Sequence, residues 1–258
     1  MTVSSRSELG DFLRSRREKL KPEAMGLSSG RRRRTPGLRR EEVAELADIS
    51  VDWYIRLEQG RSVKPSITTV DALVRALRLS KAEQAHLRAL VQSAGHPAFS
   101  RESVPHALRH LVDSLEQPAY VTGRRWDILA WNAAASEVFT DFGSVAEEDR
   151  NILTYMLTDP DARRLFGAAW DDEAKRMVAQ FRTTHDLWAG DPAFLDLLAR
   201  LRQGSPEFDG LWEAHDIRNV TAGQKLLSHP QKGFLRFAYT SFQTNDDPVL
   251  KLTIYTPV

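Results

Sequence analysis

Apolar side chains recur every three or four residues through the first third of the chain, with polar side chains between them. This spacing predicts helices, because it gives each segment one apolar face that can be buried. Serines that suit helix N-caps precede several segments, and Ser80 with Glu83 forms a capping-box pattern. We therefore expect five helices: one at residues 7–20, a pair within residues 42–60, and two more at residues 66–78 and 81–92.

The second and third helices form a pair joined by a tight turn within residues 42–60. Val43 and Ala47 occupy one apolar stripe, and residues 48–50 interrupt it. A second stripe resumes after the turn and includes Leu57. Both helices can therefore share one small core, which leaves the opposite side of the third helix facing outward.

The outward side chains of the third helix are candidates for contact with DNA bases. Arg56 can donate two hydrogen bonds to a guanine edge, Asp52 can accept one from a cytosine amino group, and Val51 can meet a thymine methyl group. Trp53 can contact the sugar-phosphate backbone or pack against a neighbouring element, and both interpretations stay open. The alternative to DNA recognition is a helical hairpin that serves packing alone, because short helix pairs are common.

Charge is divided unevenly along the chain. Residues 1–104 contain 20 Lys and Arg against 13 Asp and Glu, whereas residues 105–258 contain 16 against 22. A basic balance favours a polyanion through phosphate contacts and counterion release, so the first half is expected at double-stranded DNA. The expected DNA-contacting residues are Arg39, Arg40, Ser50, Val51, Asp52, Trp53, Arg56, Arg61 and Lys64.

Residues 21–38, between the first two helices, are rich in glycine and arginine and include the run Arg31–Arg34. Such a segment is not expected to pack. It can follow phosphates or enter a minor groove of DNA. Alternatively, it is a solvated loop that its charge keeps soluble.

The second half of the chain has a mixed pattern that predicts an α+β domain with an antiparallel sheet. Residues 118–121 and 126–131 are apolar runs split by a turn signal, which predicts a hairpin. Helical patterns follow at residues 132–141, 149–157 and 160–188, and period-two patterns end the chain at residues 225–229, 234–244 and 250–256. Asp159, Asp191 and Ser205 each precede a proline, which predicts three capped helix starts.

We therefore expect two domains. The first is an all-α, five-helix helix-turn-helix domain at residues 1–94, and the second is the α+β domain at residues 105–258. Residues 95–104 are the expected linker, because glycine, proline and serine interrupt the helical periodicity there.

Composition excludes several classes of function. The chain has no cysteine, so it lacks a disulfide framework, a thiolate zinc site and a cysteine nucleophile. It has no apolar run approaching the roughly 18 residues of a membrane helix, and its first residues show no signal-peptide pattern. We therefore expect a soluble, cytoplasmic protein with no membrane partner.

Signals for metal binding and catalysis are weak. His106 and His110 lie four residues apart, but without a third ligand nearby a solvated helix face is favoured over a metal site. His215 and Asp216 are adjacent, and such neighbours rarely orient each other for a triad, so a structural role at a helix-to-strand corner is favoured. No nucleophile-elbow glycines or phosphate-binding loop occur. We expect no enzyme activity, no metal and no cofactor.

The third helix ends in the sequence Leu57-Glu58-Gln59-Gly60. In this ending the helix pair resembles the Cro-like, xenobiotic-response-element (XRE) family of bacterial regulators. Asp48 stands at the turn where that family usually has glycine. Aspartate tolerates the left-handed backbone conformation better than most residues, so the difference is compatible with the resemblance.

Longer motifs run through both halves of the chain. They are residues 34–44, Trp53-Tyr54, residues 57–61, Trp131-Asn132, Asp159-Pro160, Ala162-Arg163, residues 205–208, Leu211-Trp212, His215-Asp216, residues 223–225 and His229-Pro230. With these motifs the chain resembles the MmyB-like transcription regulators over nearly its full length. The resemblance implies a PAS-like module that holds a fatty acid or a similar apolar ligand and is coupled to DNA binding in a homodimer.

Aromatic residues concentrate in the second half, and together with Met156 and Met177 they can line a cavity or simply form the core. A carboxylate head group needs a hydrogen-bond donor, for which Asn132, Arg163 and Arg182 are candidates. Arg163 can instead pair with a neighbouring acid. The candidate ligand-contacting residues are Trp131, Asn132, Met156, Arg163, Phe166, Trp170, Phe181, Arg182, Phe237 and Tyr239.

We expect a sequence-specific DNA-binding transcription regulator whose second domain binds a small apolar ligand. A dimer is expected because one short recognition helix specifies few bases, and two half-sites specify more. One alternative is a DNA-binding regulator whose second domain only dimerises or contacts a protein partner. The other is an enzyme that carries an incidental helical domain.

Overall fold

The computed structural model describes residues 3–27, 37–61, 63–92, 98–218 and 222–258. The first domain contains α1 (Val3–Lys19), α2 (Arg40–Leu46), α3 (Val51–Glu58), α4 (Ile67–Ala76) and α5 (Lys81–Gln92). The helices of the second domain are α6 (His106–Ser114), α7 (Ala133–Val138), α8 (Ile152–Thr158), α9 (Pro160–Phe166), α10 (Trp170–His185), α11 (Pro192–Gly204) and α12 (Phe208–Glu213). Its strands are β1 (Ala119–Thr122), β2 (Ile128–Trp131), β3 (Gly223–His229), β4 (Gly233–Gln243) and β5 (Lys251–Pro257).

The five α-helices predicted for the first domain are all present among its described residues. Ser50 and Ser66 accept hydrogen bonds from the backbone of α3 and α4, as expected of N-caps. Ser80 and Glu83 form the reciprocal bonds of a capping box, 3.4 and 2.7 Å long. The apolar faces of the five helices meet in one core that includes the fully buried Leu13.

The segment before α2 packs more tightly than its composition suggested. Leu38 is fully buried, and its backbone N–H and carbonyl both bind Arg17, over 3.0 and 2.9 Å. A Cβ added to Gly37 would lie 2.3 Å from the Arg17 carbonyl oxygen, so only glycine fits there. The expectation that residues 21–38 do not pack is therefore wrong for these two positions. It is also wrong at the start of the segment, where a 3-10 turn (Pro22–Met25) buries Pro22, and Met25 and Leu27 pack against the core. The run Arg31–Arg34 lies outside the described residues.

The second domain contains a five-stranded antiparallel sheet with the strand order β2-β1-β5-β4-β3. The predicted hairpin forms one edge, and the strands that end the chain form the rest, so β1 pairs with β5 at the centre. A helical layer with the main core covers one face of the sheet, and α6 packs behind β1 and β2. The α+β prediction is confirmed.

Two of the three capped helix starts predicted for the second domain are confirmed. Asp159 and Asp191 cap α9 and α11, with proline at the first helical turn, as predicted. Ser205 does not cap α12, which begins only at Phe208, because the Ser205 hydroxyl binds the Glu207 carboxylate over 3.2 Å.

The single long helix expected at residues 160–188 is two helices. Gly167 adopts a φ of +51° and begins a short 3-10 turn between α9 and α10. This left-handed conformation is accessible to glycine and ends the first helix. Within the described ranges, no helix combines the length and apolar composition needed to cross a membrane.

The expected linker is only partly described, since residues 95–97 lie outside the described ranges. Its described part makes specific contacts with the second domain. The ring of Phe99 packs edge-on against Phe194 at 5.6 Å, and the Arg101 guanidinium donates to the Glu147 carbonyl over 2.7 Å. These residues are therefore held against the second domain.

Candidate DNA-binding and ligand-binding sites

Helix α3 is anchored by one face and exposes the other. Tyr54, Leu57 and Glu58 are buried against the first domain, whereas Asp52 and Arg56 point to solvent. The turn before α3 contains Asp48 with a φ of +52°, the left-handed conformation expected at this position. The tight turn and the buried stripe together leave the outer face of α3 free for a partner.

Asp52 and Arg56 form an ion pair on this outer face. Arg56 Nη2 lies 2.8 Å from Asp52 Oδ2, and both side chains are more than half exposed. The i,i+4 spacing brings the two side chains together on the helix. Val51 and Trp53 are half-buried and pack against the core of the first domain, which favours the packing interpretation of Trp53.

The remaining candidates for DNA contact lie at the ends of α2 and α3. Arg39 is exposed at the N-cap of α2, and Arg61 and Lys64 are exposed after α3. Ser50 is exposed but also caps α3. Their contact with DNA stays a prediction.

Arg40 has a structural partner that the sequence pattern did not indicate. Its guanidinium binds the Glu58 carboxylate, which also binds Arg17 Nε over 2.6 Å. The Glu58 side chain is fully buried, so it would be an uncompensated charge without these two arginines. The Arg40 side chain is still 40% exposed.

A cavity of about 70 Å³ lies between the sheet of the second domain and the helices that cover it. The sheet contributes hydroxyl groups to its wall, including those of Tyr120, Thr122 and Tyr255. The helical layer contributes apolar side chains, among them Phe139, Ile152, Met156 and Met177. The volume has room for a few water-sized groups.

The structure brings three of the ten candidate ligand-contacting residues to this cavity, namely Met156, Phe166 and Tyr239. The other seven do not line it. Trp131 faces Phe142, and Phe181 and Phe237 pack within the core. Trp170 is also buried there and donates its indole N–H to the Met156 carbonyl over 2.8 Å.

None of the three proposed head-group donors reaches the cavity. Asn132 caps α7 and donates to two carbonyl groups before β1. Arg163 forms an exposed ion pair with Glu207 over 2.7 Å, the alternative expected for it. Arg182 is buried near the first domain and stacks on the Trp212 ring at 3.8 Å. The geometry therefore does not support these residues as ligand contacts.

Two lysines and one arginine supply positive charge to the cavity wall instead. Lys225 is buried, and its Nζ lies 2.9 Å from Glu173 Oε2. Arg176 binds the same carboxylate and also donates to Gln180 over 3.1 Å. Burial lowers the pKa of Lys225 to about 8, although Glu173 opposes the shift. Lys225 and the apolar Leu227 are two residues apart and therefore lie on the same face of the sheet. This alternation is the sequence signal that could have placed Lys225 at the cavity.

Lys251 lies at the first residue of β5, directly opposite Thr122 in the register with β1. Its Nζ is 5.8 Å from the centre of the Trp126 ring. Among the residues that the structure describes, none is close enough to Lys251 to compensate its charge. Burial lowers the pKa of Lys251.

The two domains meet through a cluster of buried polar side chains around Asp186, directly after α10. Asp186 Oδ2 lies 3.0 Å from His86 Nε2 on α5, and Asp186 Oδ1 lies 3.1 Å from His185 Nδ1. Burial alone would raise the pKa of Asp186. Hydrogen bonds with His185 and His86 and the charge of Arg182 hold it below its usual range.

Further contacts extend this interface along α1. Lys19 Nζ binds Asp216 Oδ1 over 2.7 Å, and the Arg16 guanidinium donates to the His215 carbonyl. Ile217 is buried in the core of the first domain. His215 and Asp216 thus serve a structural role, but they join the two domains rather than a corner within one of them. Residue spacing carried no signal for contacts between segments so distant in the chain.

His106 and His110 are exposed on α6, with their rings stacked at 6.5 Å. In the described part of the chain, no three His, Asp or Glu side chains are arranged so that they could hold a metal ion.

Comparison with protein families separates the chain into two matched regions. Residues 8–87 match the model of a helix-turn-helix domain, and residues 104–258 match the model of the MmyB-like transcription regulator ligand binding domain. No curated protein matches the chain.

Proposed function

We propose that this chain, which belongs to the MmyB-like transcription regulators, binds specific DNA sequences as a dimer and responds to a small apolar ligand such as a fatty acid. The observation that carries the DNA part is the exposed outer face of α3, held in place by buried Tyr54 and Leu57. This arrangement and the match to a helix-turn-helix domain support insertion of α3 into a major groove.

In this proposal, Arg56 and Asp52 recognise base edges. Their mutual ion pair is exposed, so exchange of the pair for contacts with guanine and cytosine costs little electrostatic energy. Arg39, Arg40, Arg61 and Lys64 contact phosphates and set the position of α3. Because α3 has only eight residues, a dimer on two half-sites supplies the remaining specificity.

The cavity supports the ligand part of the proposal. It lies inside the domain that matches a ligand binding domain, and Met156 and Met177 give its wall adaptable side chains. An acyl chain exceeds a volume of about 70 Å³, so its binding requires these side chains to repack. The small volume is also the observation that favours the alternative, in which the second domain only dimerises or contacts a protein partner.

Helix α10 offers a route from the cavity to the DNA-binding domain. Its middle contributes Arg176, Met177 and Gln180 to the cavity wall. Its last turn is followed by Asp186, which contacts His86 in the first domain. A ligand that displaces α10 would therefore alter the placement of α3, provided that it has different affinities for the two arrangements.

The DNA part is tested by fluorescence anisotropy with DNA from upstream of the gene, over a range of salt concentrations. We expect tighter binding than to unrelated DNA of equal length, with an affinity that falls steeply with salt. Arg56→Ala should reduce the preference for the upstream DNA over unrelated DNA. Arg88→Ala is the control, because it removes an exposed arginine that is paired with Asp71, and it should leave this preference unchanged. Equal affinity for both DNAs would contradict the proposal.

The ligand part is tested by native mass spectrometry of protein purified without detergent. We expect the mass of a dimer with a retained or added apolar acid. A dimer that retains no small molecule, and whose melting temperature and DNA affinity do not respond to added fatty acids, would establish the alternative.

A further inference from the structure

The cations of the cavity differ in whether their charge is already neutralised. Lys225 and Arg176 share the Glu173 carboxylate, with Lys225 Nζ at 2.9 Å and Arg176 Nε at 3.1 Å from Oε2. Lys251 has no such partner among residues 3–27, 37–61, 63–92, 98–218 and 222–258. A half-buried ammonium without a counter-ion is unfavourable, and an anion bound beside it would remove that cost.

The sheet register places the backbones of the two lysines far apart. Lys225 lies opposite Phe237, which lies opposite Pro257 at the end of β5. Lys251 is at the start of β5, six residues earlier, so the backbones of the two lysines are about 20 Å apart along the strand direction. The two ammonium groups therefore reach the cavity wall from different parts of the sheet, and Lys225 is the one that Glu173 neutralises.

The surroundings of Lys251 suit an anionic group. Thr122 lies directly opposite it, and Thr253 lies two residues along β5 on the same face. The Thr122 hydroxyl can donate a hydrogen bond to an anion held by the ammonium group. The Thr253 hydroxyl shares a hydrogen bond of 2.9 Å with Ser241 Oγ, and it can donate to the anion when Ser241 is the donor of that bond. The Trp126 ring, 5.8 Å from Nζ, closes this part of the cavity with an apolar surface.

We propose that Lys251 binds the acidic group of the ligand, and that it thereby selects carboxylic acids over neutral amphiphiles of equal chain length. The acyl chain then extends away from Lys251 between the sheet and the apolar side chains of the helical layer, such as Phe139 and Met156. This inference rests on the proposed function, because it assumes that the cavity takes up a ligand.

The test is calorimetric titration of the full chain with decanoic acid and with decan-1-ol, at a pH where the acid is ionised. We expect the wild-type protein to bind the acid about tenfold more tightly or better, as expected for one buried, charge-assisted hydrogen bond. Lys251→Met should abolish this preference and leave decanol affinity within about twofold. Lys251→Arg should preserve the preference, because it keeps the charge.

Two further variants locate the effect. Lys232→Met removes a lysine that is exposed and paired with Glu137, and it should leave the preference unchanged. If Lys225→Met abolishes the preference and Lys251→Met retains it, the assignment to Lys251 is overturned. Lys251→Gln gives the same readout if the methionine variant does not fold.

The outcomes separate this inference from the proposed function. If acid and alcohol both bind and Lys251→Met keeps the preference, only the role of Lys251 is refuted. If neither compound binds the wild-type protein, the ligand part of the proposed function fails, and the assignment fails with it.

Discussion

His86 Nε2 on α5 lies 3.0 Å from Asp186 Oδ2 after α10, and this contact joins the helix-turn-helix domain to the ligand-binding domain. Both side chains are almost fully buried. The His86 ring also packs edge-on against Phe12, 5.2 Å away, so the histidine is fixed from both sides. Buried polar contacts of this kind hold two surfaces in one relative arrangement.

We predict that His86→Ala weakens the connection between the domains. The change removes a hydrogen-bond partner from the buried Asp186 and leaves a gap beside Phe12, with an expected loss of about 3 kcal/mol in the free energy of unfolding. Chemical denaturation measures this loss. His110→Ala is the control, because His110 is exposed on α6, and a loss of similar size in both variants would contradict the prediction.

A second prediction concerns the pH dependence of stability. Burial and the neighbouring Asp186 raise the pKa of Glu8, on α1, to about 8 from an ordinary value of 4.5, although Arg182 opposes the shift. Between these values the folded protein keeps a proton that the unfolded chain has released. Glu8 therefore makes stability fall as the pH rises through this window.

Glu8→Gln should remove this contribution and flatten the stability profile between about pH 4.5 and pH 8. Denaturation curves at several pH values measure the profile. Glu45→Gln, at an exposed carboxylate of α2, is the control for the loss of one carboxylate. Parallel profiles for the wild-type protein and Glu8→Gln would show that Glu8 titrates normally.

A third prediction separates base recognition from phosphate binding. Arg56→Ala should reduce the discrimination between operator variants, because it removes a donor from the outer face of α3. Arg40→Ala should weaken binding to all sequences about equally and reduce the salt slope by about one. Anisotropy titrations over a series of salt concentrations measure both quantities.

Because Arg40 also binds the buried Glu58, its variant must be checked for stability. Arg40→Lys keeps the positive charge, and it should retain most of the nonspecific affinity for DNA. If Arg40→Ala abolished only specific binding, a role in base recognition would replace the phosphate contact.

A fourth prediction concerns the turn between α2 and α3. Asp48 holds a φ of +52°, a conformation that costs residues with a Cβ roughly 1 kcal/mol relative to glycine. Asp48→Gly should therefore be neutral or stabilising by up to about 1 kcal/mol, while Asp48→Val should be destabilising. Thermal unfolding of the two variants gives the order of their stabilities. A higher melting temperature for Asp48→Val than for Asp48→Gly would contradict the prediction.

The elements that sequence predicted well depend on local interactions. Ser50, Ser66 and Asp159 cap helices within three residues of their own position, so their effect is visible in a short window. Gly167 was missed because the pattern of apolar residues continues through it, while its backbone turns. Local spacing thus predicts which segments are helical better than where one helix stops.

The candidate site was harder to predict because its residues are brought together by tertiary contacts. Asn132, Arg163 and Arg182 are plausible head-group donors by type, but each is bound by groups distant in the sequence. Lys225 and Lys251 reach the cavity only through the pairing of β3, β4 and β5. A strand pattern places a lysine on one face of a sheet without saying which face is covered.

Helix α10 contributes to the cavity wall, and Asp186 directly after it contacts His86. Under the proposed function, filling the cavity and changing DNA affinity are therefore two separate events. A compound that fills the space without displacing α10 would be silent, and it would compete with compounds that do displace it. Linkage also works in the reverse direction: DNA that favours one position of α10 would change ligand affinity by the same factor as the ligand changes DNA affinity. DNA sites that favour different positions of α10 would then respond at different ligand concentrations.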